Sequence, residues 1–149
     1  MRRAFCLLIV SGVIVGCAAQ AVNISWDLRP ATRSNYGYTA EDPIRIGYYK
    51  DFRENIGLCN SYLASLRTTD QRPMQVVGRS SVRAPRNEPE EPKGFLGLPK
   101  RGGLPTGGIL DEYLLVPVGT TDTLRLYFDV YHKDSLQVPR GLSFTPPSK

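Results

Sequence analysis

Five residues near the C-terminal end have the types and the spacing of a binding face: Asp111, Tyr113, Tyr127, Asp129 and Tyr131. Within each run they alternate with other residues. Two is the period of a strand, so each run points its side chains one way. Tyrosine offers flat apolar area with a polar tip, and a carboxylate accepts hydrogen bonds. Such a face suits a sugar or a peptide. The plainer reading is the half-wet second side of an antiparallel sheet, where mixed faces are ordinary.

Other chemistry is sparse. His132 is the sole histidine. A Ser-His-Asp or Cys-His site would have to recruit Asp111, Asp129 or Cys59, yet no G-x-S-x-G turn occurs to present a nucleophile. One histidine and scattered carboxylates make no recognisable metal site, and Glu88–Glu91 lacks the spacing of a calcium loop. No metal and no cofactor is expected. The stretch Gly94–Gly108, GFLGLPKRGGLPTGG, invites comparison with a phosphate loop. Gly97 and Gly102 have the right separation, but Gly103 and Leu104 stand where Lys and Ser/Thr are required. A strand-like segment follows, so no helix N-terminus aims its amides at an anion. A solvated loop is the expectation.

The elements that must position these residues follow from periodicity. Val22–Leu28 alternates apolar and polar, as a half-buried strand does, and Arg29-Pro30 ends it. Residues 31–42 form a loop, and Ile44–Tyr48 alternates again. Asp51 and Glu54 resemble a capping box. After Asp51, Phe52, Ile56, Cys59, Leu63 and Leu66 recur at spacings of four and three, one face of a helix of about four turns. Gly57 weakens that helix by roughly 1 kcal/mol relative to Ala, and Arg67 suits its negative end. Asp70–Pro73 turns, and Gln75–Val82 reads as a strand. Residues 84–108 are rich in Pro and Gly and form a long loop.

The strongest hairpin joins Leu110–Val118 to Thr123–Tyr131. Setting Val118 opposite Leu124 puts Leu114, Val116 and Val118 on the apolar face with Leu124, Leu126, Phe128 and Val130. Asp111, Tyr113 and Leu115 then join Tyr127, Asp129 and Tyr131. A slip of one residue would exchange the faces. The predicted fold class is α+β: a small antiparallel sheet with one amphipathic helix packed on it. An all-β sandwich with a short helix is the alternative.

The N-terminus bears on destination. Met1-Arg2-Arg3 is followed by an apolar stretch over Ala4–Val15, too short for a permanent span of about 20 residues. This is the pattern of a secretory signal. Ile14-Val15-Gly16-Cys17 resembles the lipobox of bacterial lipoproteins, which implies cleavage before Cys17 and acylation of its thiol. The competing site, Ala19-Gln20-Ala21, would start the mature chain at Val22. Ala18 after the cysteine is compatible with the outer membrane, facing the periplasm. The chain thus divides into a signal peptide over 1–16 and one periplasmic domain over 17–149.

The formal net charge of +5 includes Arg2 and Arg3, which leave with the signal. The other basic residues are scattered, with no stripe interleaved with aromatics, so nucleic acid is not an expected partner. Three cysteines occur. With Cys6 in the signal and Cys17 acylated, Cys59 is left without an intramolecular disulfide partner, and a cysteine-type zinc finger is excluded.

Asp42-Pro43-Ile44-Arg45-Ile46-Gly47, Gly107–Tyr113, Leu126–Tyr131 and Pro139-Arg140-Gly141-Leu142 resemble segments of short bacterial lipoproteins of unknown function. The resemblance covers the C-terminal two-thirds and implies no catalytic residues. Some of these look-alikes carry the label 2-dehydro-3-deoxyphosphooctonate aldolase. That activity implies a (β/α)₈ barrel of about 250 residues and a cytoplasmic phosphorylated substrate, neither of which suits a short exported chain. The expected role is a lipid-anchored binding or envelope-assembly module, its partners the membrane and an envelope protein or glycan. The alternative is an exported, hydrolase-like enzyme working from the Tyr/Asp face.

Overall fold

A computed structural model describes residues 24–85 and 108–147. The expected signal at 1–16, the acylation site Cys17, and most of the 84–108 loop with Lys100 and Arg101 lie outside the described residues.

Asp51 caps the helix α1 (Phe52–Ser65), its Oδ1 accepting from Arg53 N at 2.9 Å. This quiets one of the orphan amides of the first turn. At the other end the Arg67 guanidinium donates to the carbonyls of Ala64 and Leu66, which satisfies acceptors where the helix dipole is negative. The buried side is Asn55, Leu58, Cys59, Tyr62, Leu63 and Ser65. This corrects the expected face. Cys59, Leu63 and Leu66 are buried as predicted, but Ile56 is half-buried and Phe52 is 50% exposed. The stripe runs through Asn55 and Tyr62 instead.

Four strands form one sheet in the order β1 (Ile44–Arg45), β5 (Leu124–Asp129), β4 (Ile109–Pro117), β3 (Met74–Arg83). β3, β4 and β5 are antiparallel neighbours, while β1 lies parallel to β5 with Ile44 opposite Phe128. A second pair, β2 (Leu66–Thr68) and β6 (Leu142–Phe144), is antiparallel. Among the described residues the fold is α+β, with one helix on a small sheet that is mixed and not purely antiparallel, because β1 is parallel to β5. Val22–Leu28 was expected as a strand. Over 24–28 its burial does alternate, with Ile24, Trp26 and Leu28 packed on the core, but these residues pair with no strand. Trp26 instead stacks on Phe144 at 5.6 Å.

The core fills the space between α1 and one face of the sheet. Leu58, Cys59, Tyr62 and Leu63 meet Tyr113, Leu115, Leu126 and Phe128. Tyr62 and Tyr113 both approach Phe128 edge-on, at 5.8 and 5.4 Å between ring centres, the arrangement ring quadrupoles favour.

The register of the hairpin differs from the expectation. Leu115 lies opposite Leu124, Tyr113 opposite Leu126, and Asp111 opposite Phe128. Asp111, Tyr113 and Leu115 therefore face the helix, while Leu114 and Val116 are half-buried on the other side and Val118 is 50% exposed. The offset from the predicted pairing is odd, so every side chain of β4 changes face. The cause is the connection. β4 runs past the start of β5 to pair with β3 alone, Val116 opposite Gln75 and Pro117 opposite Met74, so no tight turn sets the β4–β5 register.

Candidate functional site

The five residues expected to share a face are divided. Asp111 and Tyr113 lie under α1, and Tyr127 lies on the opposite side of the sheet, opposite Glu112. Asp129 ends β5, and Tyr131 follows in the turn beyond it.

Asp111 is 7% exposed and bonded to Arg79 at 2.9 Å. Arg79, the cross-strand neighbour of Tyr113, also sits over the Tyr113 ring at 5.5 Å. The Tyr113 hydroxyl is buried beside the Cys59 thiol. Burial holds its proton well above the ordinary range, and the nearby Cys59 thiol adds to this. Burial likewise pushes the Cys59 thiol up to about 12. A neutral, fully buried thiol is no nucleophile. This half of the expected face is core, and Cys59 cannot serve a Cys-His site.

Asp129 is 2% exposed, and its carboxylate is occupied by the chain that follows it. Oδ1 accepts from the amides of Tyr131 at 2.9 Å and His132 at 3.0 Å. Oδ2 meets His132 Nδ1 at 2.6 Å, with Arg45 Nε at 3.9 Å. A carboxylate with these duties fixes the 130–133 turn.

That turn is one wall of a cleft of about 690 Å³. Gly47, Tyr48, Tyr49, Lys50, Asp51, Phe52 and Asn55 form the facing wall and floor, with Val130, Tyr131 and Lys133 opposite. The walls are joined by backbone. Ile46 N donates to Asp129 O at 2.8 Å, and Gly47 N to His132 O at 2.7 Å. The approach is so close that a Cβ on Gly47 would stand 2.5 Å from the Tyr131 carbonyl carbon and 2.6 Å from His132 N. Only glycine fits there.

Asn55 completes the frame from the first turn of α1. It is 3% exposed. Its Oδ1 accepts from Tyr49 N at 2.8 Å, and its Nδ2 donates to Tyr49 O and Val130 O, both at 2.9 Å. Both walls thus hang on one buried amide, and such fully satisfied networks hold a single geometry. Tyr48 donates its hydroxyl to Asp134 O, and Lys133 Nζ lies over its ring at 5.7 Å. Desolvation raises the Tyr48 pKa, so that hydroxyl stays a donor at neutral pH. The rim is exposed and mixed: Lys50, Asp51, Phe52 and Lys133.

The lining of this cleft mixes apolar and charged groups. It offers four aromatic rings, two ammonium groups and a capping carboxylate. Among the described residues no three of His, Cys, Asp and Glu come together as metal ligands, and no helix is long and apolar enough to cross a membrane. Of the predicted candidates only Tyr131 lines the cleft, with Asp129 behind it. Tyr48, Tyr49, Lys50, Phe52 and Lys133 were missed. The signal available was the run Tyr48-Tyr49-Lys50 immediately before a helix cap, together with Phe52 at a first-turn position.

The chain matches no known family, no curated protein and no solved structure.

Proposed function

We propose that this protein is an exported, lipid-anchored binding module whose ligand sits in the cleft between residues 47–55 and 130–133. The observation that carries the reading is Phe52, an aromatic ring 50% exposed on the rim of a preformed cleft already walled by Tyr48, Tyr49 and Tyr131. Exposing an apolar ring forgoes the benefit of burial, about 25 cal/mol for each Å² left in water. Ligand sites of some 300–1,000 Å³ with aromatic walls and few polar groups are the usual form of a small-molecule site. The Cys17 lipobox supports placement at a membrane surface, with the domain facing the envelope.

An array of glycans and peptides, probed with the full chain in detergent and with Phe52→Ala, tests this. The reading holds if one ligand class binds the wild type and Phe52→Ala loses most of that signal. It fails if no class binds, or if Phe52→Ala binds equally well.

A further inference from the structure

The polar groups deep in the cleft are already used. Both amide protons of Asn55 and its Oδ1 bond to backbone, and the Tyr48 hydroxyl goes to Asp134 O. Asp51 Oδ1 goes to the helix amide of Arg53. A ligand that must be read by a buried hydrogen-bond network therefore finds little to read it. What the cleft leaves for a ligand is ring surface on the walls and two ammonium groups at the exposed rim, Lys50 and Lys133. Ring faces pack against the flat C–H faces of sugar rings and tolerate hydroxyls that stay in water. Lysine ammoniums are compact point charges that attract an anion without demanding a planar fork. Against them stands one carboxylate, Asp51, so the lining carries an excess of positive charge. Lys133 lies over the Tyr48 ring, which places a cation beside an aromatic wall.

We infer that the cleft takes an anionic saccharide, its sugar rings against Phe52 and Tyr131 and its acidic groups against Lys50 and Lys133. This rests on the cleft being the binding site. A carboxylated and a phosphorylated sugar share the chemistry, and separate probes divide them.

The test is calorimetric titration of the full chain in detergent with trigalacturonate, with glucose 6-phosphate, and with neutral maltotriose. Trigalacturonate or the phosphosugar is expected to bind at least about tenfold more tightly than maltotriose, the scale of one charge-assisted contact. The stronger of the two names the acidic group. Lys50→Ala with Lys133→Ala should remove that preference while thermal stability stays unchanged, and Lys50→Arg with Lys133→Arg should restore most of it. Equal binding of maltotriose, or a preference that survives loss of both lysines, would overturn the anionic assignment. Binding that Phe52→Ala still abolishes would then leave the cleft itself standing. Absence of binding by all three probes overturns the saccharide assignment, and the array with Phe52→Ala then decides the cleft separately.

Discussion

Asp111-Glu112-Tyr113 and Asp129-Val130-Tyr131 are the same pattern twice, an aspartate and a tyrosine two residues apart. They end in opposite circumstances. The first lies within a strand and under a helix, so its aspartate pairs with Arg79 and its tyrosine joins the core. The second lies where a strand gives out, so its aspartate ties down the turn and its tyrosine lines a cleft. Residue type does not distinguish the two. What lies above them does: α1 covers the middle of β4 and β5, while its first turn only borders the end of β5. The contrast implies that damage in the first region is read as lost stability and damage in the second as lost binding.

The largest effect belongs to the covered region. Phe128→Ala, a ring with 0% exposure touched by Tyr62 and Tyr113, should cost about 3–5 kcal/mol in denaturant unfolding. Asn55→Ala comes next, because it couples the two regions. It strands the Tyr49 amide and carbonyl and the Val130 carbonyl. A loss of about 2–3 kcal/mol, the range for buried groups left without partners, should accompany weakened ligand binding.

Alkaline titration sharpens the contrast further. Burial raises the thiol of Cys59 from its ordinary 9.0 to about 12, and raises the phenol of Tyr36 from 10.0 to about 12. The native state holds these protons longer than the unfolded chain. Their contribution is therefore whole below the unfolded values and is lost as pH climbs toward the folded ones. Stability should begin to fall above pH 9.0, and Cys59→Ala should flatten the part of that fall below pH 10.0, as followed by urea midpoints. Asp111→Asn should cost only up to about 1 kcal/mol, because Arg79 is 43% exposed and solvent screens the pair. Its ligand binding should match the wild type. The smallest stability change is expected for Phe52→Ala, within about 0.5 kcal/mol as for other surface sites, and this is the variant that should lose the ligand.

Much of the fold was legible in the residues. The Asp51 cap, the helix after it, and the β3, β4 and β5 segments all declare themselves by period and by punctuation. The face of α1 was misread because Asn55 is polar and Phe52 is apolar. The helix buries the amide to tie two loops together and leaves the ring outside, which no hydrophobic tally anticipates. The hairpin register was misread because it was inferred from apolar matching alone. Tyr113 enters the core as readily as Leu114 would, and pairing with β3 sets where β4 sits. Val22–Leu28 shows a third limit: alternation reports which side chains meet the core, not whether the backbone has a partner. The cleft depends on Gly47 meeting the 131–132 backbone and on Asn55 reaching Val130. Both contacts join residues about eighty positions apart, so local pattern carried no trace of them.

The most direct test maps a bound ligand onto the amides of the ¹⁵N-labelled full chain in detergent as trigalacturonate is added. Progressive, saturable shifts are expected at residues 47–55 and 130–133, with 109–115 unmoved. Shifts centred on Asp111 and Tyr113, with the cleft amides still, would contradict binding in the cleft.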